Sequence, residues 1–483
     1  GGFLQESTTD ARAITTFSTI TGNTFTGNQY GIRYVTSGAS TTFARLLAPN
    51  WSSNVFNNQT LHGVYAGLLV GGKIASNTIA GAGRGTGAGS GIYVNGGASA
   101  FVGSTDFKGL RITDNVITDS GQFGVWVVGA RNVRTLRNRI IGCGSTEMAN
   151  TFGRCIEYVR NGTITNPAQT LTMSALQGPG LTATAGGAVF ASTDIDKIIA
   201  APAENPGACR ITGFTSTTVV TCDSISAFNN TSLPSGRWAL GAMASDGQIT
   251  DNVISGAYGR QYTTAPGTEG VGIGLDDQTQ TTLVARNVVS ETDFGAIDIN
   301  GGHGNRIIGN VITRSGLDPT SQLGTKSVRH TGIKISYTDA YIAHNTVDCG
   351  GRPYGITSEN STTTPVTTPD SGGVVTYVDN MLVNCSEAGI IGNSNDTATN
   401  NGYYGNAFNY RWMSQLSFSS VPVEANLTTQ TLDGASVTGN PLLRNLVPTL
   451  GGPICNAATT TRGTYRDGRR FGPLPSIGAA ACQ

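Results

Sequence analysis

Apolar residues recur along this chain in a six-residue frame, Ile/Val-x-x-Asn-x-Ile/Val. Clear copies are ITGNTF at 20–25, IASNTI at 74–79, ITDNVI at 112–117 and again at 249–254, VARNVV at 284–289, IIGNVI at 307–312, IAHNTV at 342–347 and YVDNML at 377–382. Looser copies are SSNVF at 52–56, LRNRI at 136–140 and YGNAF at 404–408. The frame places an Asn at 23, 54, 77, 115, 138, 252, 287, 310, 345, 380 and 406. About ten residues after each Asn comes Gly-Ile/Val and then alternation, as in GIRYV at 31–35, GVWVV at 124–128, GIGLD at 272–276 and GIKIS at 332–336. Alternation with period two predicts a strand, and the preceding Gly a tight turn. No helical period competes with it. Three of the Asn spacings are 23 residues and most others 26 to 38, the interval of a solenoid with insertions. The expected fold is all-β: a right-handed parallel β-helix of about 11 rungs, in which each repeat stacks on the last. The repeated Asn is expected at a turn, its amide bonded to backbone and to the Asn of the next rung, because a buried amide must be paired. A β-sandwich accounts less well for equal rungs.

One interval breaks the pattern. Asn138 and Asn252 are 114 residues apart, which implies an insert of about 80 to 90 residues. Its short alternating runs between turn residues predict a small β-domain. From about Arg411 the frame fades. The expected division is 1–162 and 242–410 for the two parts of the β-helix, 163–241 for the insert and 411–483 for a C-terminal cap over the open end. The chain opens Gly1-Gly2-Phe3-Leu4, without a start Met or an apolar signal segment, as a processed or shortened chain would. The first rung follows with no cap before it, so either the start has been removed or a partner covers it.

Composition narrows the class. The chain has 30 basic and 30 acidic residues, only 12% charged residues in all, and 67 Gly. That balance gives no electrostatic footprint for nucleic acid. No apolar run is long enough to span a membrane. Eight cysteines suit an oxidising compartment. The expected pairs are Cys143–Cys155, Cys209–Cys222, Cys349–Cys385 and Cys455–Cys482, the third because the two residues lie on adjacent rungs about 5 Å apart. No CxxC occurs, and no metal site is expected.

Side chains alternate along a strand, so the residue after each Gly-Ile/Val faces outward. Down the stack this column reads Arg33, Tyr65, Tyr93, Trp126, Glu157, Gly274, Asp298, Lys334, Thr357 and Ile391. The next outward column includes Asn95, Asp276, Asn300, Ser336 and Glu359. Tyr65, Tyr93 and Trp126 would form a ladder at about 4.8 Å spacing, along which sugar rings of a polysaccharide could stack. Coverage of that face by loops or a neighbouring subunit is the alternative. Asp276 and Asp298 are expected about 8 Å apart, and Glu157 and Asp298 about 10 Å. The first separation suits the acid and base of an inverting glycosidase, which stand about 6.5–9.5 Å apart. In that scheme Asp298 is the base, kept ionised by Lys334, and Asp276 or Glu157 the acid. A purely structural Asp–Lys pair is the competing account. A polysaccharide lyase on the same face would use Lys334 as base, with Arg329, His330 or Arg352 near the sugar carboxylate and Ca²⁺ held by the Asp cluster. Otherwise no cofactor is expected.

The repeat pattern over about residues 14–410 resembles the pectin-lyase-like β-helix superfamily. Asp276-Asp277, Gly302-His303-Gly304 and Gly332-Ile333-Lys334 resemble the polygalacturonase motifs in their order, although Gly332 stands where that family has Arg, the earlier Asn-Thr-Asp is not in place, and the first two motifs follow their strands instead of preceding them. The insert and the tail at 440–479 are similar to segments of phage tail proteins and secreted bacterial β-helix proteins. The resemblance to tailspikes implies a trimeric, extracellular or virion-surface protein that binds and often cleaves glycans. On the outward columns and the segments beside them, Tyr65, Tyr93, Trp126, Glu359, His303 and Arg352 are the expected substrate contacts, and Asp298, Asp276, Glu157 and Lys334 the expected chemical groups. A non-catalytic glycan-binding adhesin and a purely structural solenoid remain open beside these enzymes.

Overall fold

A computed structural model describes residues 3–7, 15–16, 18–36, 46–67, 69–83, 89–96, 109–144, 153–201, 207–258, 270–316, 331–336, 338–358, 374–392, 396–406 and 408–412, with four two-residue strands beyond, the last Val447–Pro448. The chain winds through three long sheets, of 13, 11 and 12 strands. Strands of the first sheet pair in parallel with the strand one turn on, as Ile92 with Val125 and Ile273 with Ile297. Each turn visits the first sheet, then the second, then the third. A parallel strand–crossover–parallel strand path of this kind is right-handed. The chain is a right-handed parallel β-helix. Among the described residues no helix is long and apolar enough to cross a membrane.

Three inward columns make the core. Ile32, Val64, Ile92, Val125, Ile156 and Ile273 belong to the first sheet, Ile74, Ile112 and Ile249 to the second, and Ile79, Ile117 and Ile140 to the third, all fully buried. β-branched side chains suit this packing because each stacks on its like in the next rung. Aromatic residues enter the same columns. Phe25 stacks on Phe56 at 5.1 Å, and Tyr158 sits inside with its hydroxyl 2.9 Å from Thr135 Oγ1.

The corner between the second and third sheets is two residues long on every rung. Its first residue is Gly22, Ser53, Ser76, Asp114, Arg137, Asp251, Arg286, Gly309, His344, Asp379 or Asn400, each with φ between 53° and 71°. Only Gly adopts this left-handed conformation freely, and Asn and Asp tolerate it better than other residues. Arg, His and Ser hold it here because the second corner residue, the repeated Asn, locks the turn. Each Asn Oδ1 accepts the backbone N–H and the side-chain N–H of the Asn one rung earlier, as Asn287 does from Asn252 at 3.0 and 2.9 Å. Its Nδ2 also donates to a backbone carbonyl, in Asn287 that of Ile249 at 2.9 Å. The ladder runs from Asn23 to Asn380 through the expected residues, and its last member is Asn401, to which Asn380 donates at 3.0 Å. Asn406, expected in that place, lies five residues on and accepts from the Cys385 N–H at 2.8 Å. The final rung uses Ala398 and Tyr403 inward where most other rungs have Ile or Val, so the frame sits at Ala398-x-x-Asn401-x-Tyr403.

Between Val159 and the second-sheet strand Gln248–Thr250, residues 161–242 form a separate eight-stranded sheet with antiparallel pairing. It has its own core, including Leu171, Ile199, Ile211, Val220 and Trp238. Cys209–Cys222 joins two of its strands, with Cα atoms 5.7 Å apart. Cys143–Cys155 spans a loop of the β-helix and Cys349–Cys385 joins adjacent rungs, with Cα separations of 5.3 and 5.0 Å. Cys455, Cys482 and most of the expected cap lie outside the described residues.

Asn287→Ala removes four hydrogen bonds inside the ladder and leaves buried partners on both neighbouring rungs. We expect a loss of about 3–5 kcal/mol. Asn406→Ala removes two bonds at the rim and should cost about 1 kcal/mol. Equilibrium urea denaturation of the two variants checks the difference.

Candidate functional site

The outward column of the first sheet follows the expected register. Arg33, Tyr65, Tyr93, Trp126, Glu157, Gly274, Asp298, Lys334, Thr357 and Ile391 stand opposite one another in that order. Tyr65, Tyr93 and Trp126 are half-buried, with ring centroids 4.8 and 4.7 Å apart.

A further column flanks it. The Gly of each repeat points its Cα hydrogen inward, against Ile79 at Gly63 and Ile117 at Gly91. The residue before that Gly therefore also faces outward, which simple alternation missed. This places Tyr30, His62 and Phe123 beside the first three rings. His62 stacks on Tyr93 at 5.1 Å and Phe123 on Trp126 at 4.5 Å, while Tyr30 meets Tyr65 edge-on at 5.9 Å. The Arg33 guanidinium lies 4.8 Å from the Tyr30 ring. Burial, helped by the Arg33 charge, pushes the His62 imidazole down to about 4. Burial and the neighbouring Tyr65 push the Tyr93 hydroxyl up to about 12, against a hydrogen bond from Asn95.

The same flanking column supplies Arg154, directly below Phe123. One guanidinium nitrogen of Arg154 donates to Glu157 Oε1 at 2.9 Å and to Asp276 Oδ2 at 2.8 Å. Gly274 makes that reach possible. It occupies the outward column, and a Cβ there would stand 3.1 Å from the Arg154 nitrogen, so the Arg side chain lies across the rung where other residues project. Burial alone would raise the Asp276 carboxyl. The Arg154 charge, a 2.7 Å hydrogen bond from Asn300 and the N–H of Asp277 more than offset it and hold it below the usual range. Asp277 goes the other way: burial and the Asp276 charge push it up against the pull of Arg160 and Arg154. Arg160 Nε is 3.3 Å from Asp277, and the side chains of both are more than a third exposed. One rung further, Lys334 Nζ pairs with Asp298 at 3.2 Å, with 8% and 3% of the side chains exposed.

The structure thus brings Glu157, Asp276, Asp298 and Lys334 onto one face, as the register requires, and adds Arg154, Arg160 and Asp277. Two of the carboxylates share a buried guanidinium, and Lys334 stands beside Asp298 as the expected scheme has it. Glu359, Arg329 and His330 lie outside the described residues. Arg352 lies in the turn ahead of its first-sheet strand, Tyr354–Ser358, with its backbone paired to Cys349 and Ser386.

His303, expected as a substrate contact, lies away from this face. It is 1% exposed, with Nδ1 2.6 Å from Asp339 and Nε2 3.0 Å from the carbonyl of Ala201 in the inserted sheet. Nε2 joins the β-helix to the insert and Nδ1 pairs with Asp339 within the β-helix, so both ring nitrogens have protein partners. Arg210 of the insert adds a 2.6 Å contact to Asp246. The insert also begins at the candidate site: Asn161, next to Arg160, donates to Asn95 at 2.7 Å.

Residues 8–166 match the family described as periplasmic copper-binding protein NosD. No curated protein matches the chain. Among solved structures, it is similar to DFA-IIIase from Arthrobacter chlorophenolicus A6 in complex with GF2, at 10% identity and TM-score 0.33, covering 75% of this chain and 57% of that one. It is similar to pectate lyase Pel9A at 10% identity and TM-score 0.33, covering 96% and 97% of the two chains. It is also similar to the tailspike protein gp49 from Pseudomonas phage LKA1 at 11% identity and TM-score 0.29, covering 62% and 49%.

The family name implies copper, and the donors within 8–166 do not fit it. Copper sites draw on several imidazole, thiolate or thioether ligands. This segment has one His and one Met, Met148, and His62 Nδ1 already accepts the Ser90 N–H at 3.1 Å. Its two cysteines are joined to each other. Among the described residues no three His, Cys, Asp or Glu side chains converge.

His62 yields a pH prediction. Its folded-state value of about 4 lies below its ordinary 6.5, so between these values the unfolded chain binds the proton more tightly. The His62 contribution is complete above about pH 6.5 and falls as pH drops towards 4, by up to about 3 kcal/mol. Subtracting the stability–pH curve of His62→Gln from that of the native chain should isolate this slope.

Proposed function

We propose that the protein is an extracellular polysaccharide-binding and -degrading β-helix, acting as a glycoside hydrolase on the outward face of its first sheet. One observation carries this: Asp276 and Asp277 are adjacent, and their surroundings push their proton affinities apart. Such divergence is how paired carboxyls divide acid from base work. Asp277, the more exposed and the more prone to keep a proton, donates to the leaving glycosidic oxygen. Asp276, ionised by Arg154 and oriented by Asn300, stabilises the positive charge that develops on the sugar ring and orients water. Asp298 with Lys334, and Glu157 with Arg154, act as buried positioning pairs below. The strip from Tyr30 and Tyr65 through Tyr93 to Trp126 leads to this pair and offers apolar faces to successive sugars. Three disulfides support an oxidising setting.

A lyase is supported less well on this face. Its base must be a free amine or similar group, and the Lys334 ammonium is engaged by Asp298. The aromatic strip by itself also suits an adhesin without chemistry.

Asp277→Asn should lower turnover about 10²–10⁴-fold while leaving glycan binding nearly unchanged. Reducing-end release from a panel of bacterial and plant polysaccharides measures it, with product absorbance reporting unsaturated ends. Unsaturated products would make the enzyme a lyase, and binding without any turnover would make the protein an adhesin.

Trp126→Ala should weaken binding by about 1–2 kcal/mol with little change in melting temperature. A large fall in melting temperature would instead make the ring part of a packing interface.

A further inference from the structure

The outward column of the second sheet carries Lys73, Arg111 and Arg134 on three successive rungs. Lys73 stands opposite Arg111, and Arg111 opposite Arg134. Rungs in register are about 4.8 Å apart, and like charges directly opposite destabilise a sheet. At the neighbouring corner, adjacent rungs set opposite charges against each other: Asp114 pairs with Arg137 at 2.8 Å and, further on, Asp251 with Arg286 at 2.7 Å. None of the three stacked cations has a carboxylate partner among the described residues. Lys73 and Arg111 are exposed, and Arg134 is half-buried, its Nε shielded and without an acceptor among those residues. The rungs on either side carry neutral Asn50 and Gln248 in this column. In a chain of zero net charge with 12% charged residues, three unneutralised cations in one row are a concentration of charge that folding alone does not explain.

We propose that this row binds a carboxylated polysaccharide, a polymer bearing one carboxylate per sugar, laid along the solenoid axis. The cations recur at the rung spacing, so they match charges arrayed along a line. Arg111 and Arg134 can each grip a carboxylate with two parallel N–H bonds. The row is one side chain wide, and the chain as a whole has no net charge, so it lacks the broad field that a nucleic-acid duplex requires. The site lies on a different sheet from the aromatic strip and the carboxyl pair. It goes beyond the hydrolase proposal and stands even if Asp277 proves inert.

The test uses the full chain and polygalacturonate, with neutral dextran, dextran sulfate and duplex DNA as comparisons, by titration calorimetry at low and high salt. Binding to polygalacturonate should weaken as salt rises. The double variant Lys73→Gln/Arg111→Gln should bind it about tenfold more weakly, the combined effect of exposed charge contacts. Trp126→Ala should keep this salt-sensitive component, which separates the row from the first-sheet site. The double variant should melt no lower than the native chain, because it relieves repulsion. Equal binding by a folded double variant would overturn the proposal. So would a preference for dextran sulfate or DNA over polygalacturonate that the double variant abolishes.

Discussion

A carboxamide buried at a two-residue corner has four hydrogen-bonding positions and no water, so it must find its partners in the rungs before and after it. That demand makes every rung answer to its neighbours. An Asn shifted by one residue would orphan two donors and an acceptor, and would also turn the inward Ile or Val of the adjoining strands outward. The left-handed residue before each Asn is tolerated even as Arg137, Arg286 or His344, since the ladder over-determines the turn. With this corner held at constant length, variation in repeat length falls at the other two corners, which border the first sheet. The face that carries the aromatic strip and the carboxyl cluster is thus the one bordered by segments free to differ from rung to rung.

Much of this architecture is legible in the residue pattern. The spacing of Asn and of inward Ile and Val reports a solenoid directly, because each rung repeats one physical problem. The register of the outward column follows from alternation after Gly-Ile, and the structure keeps it over ten rungs. The last rung escaped detection because Ala398 and Tyr403 fill the inward places with unusual volumes. The polar chemistry is less legible. Arg154 precedes a break in alternation, so nothing in its immediate neighbours points it toward Asp276 on the following rung, 122 residues along the chain. His303 looked like a functional Gly-His-Gly. Its role depends on Ala201, in an insert whose docking no local pattern reports.

Glu157, Asp276 and Asp298 are alike in type, and their surroundings separate them. Asp298 has its own cation. Asp276 shares Arg154 with Glu157, an arrangement that exists because Gly274 leaves an open slot in the column. A glycine that carries no functional group thereby sets the charge state of a carboxylate two residues away, and through it the proton affinity of Asp277.

The Asn ladder has a direction. From Asn54 to Asn401 each side-chain carbonyl accepts from the Asn on the N-terminal side, and from Asn23 to Asn380 one N–H of each amide donates to the Asn on the C-terminal side. Hydrogen bonds in such a file polarise one another in the same sense. The solenoid therefore carries a line of aligned amide dipoles parallel to its axis, a side-chain counterpart of the helix macrodipole. One end of the stack is electron-rich and the other electron-poor. Two such stacks meeting end to end could extend the file only head to tail, so a two-fold symmetric dimer built through one of these ends would have to break it.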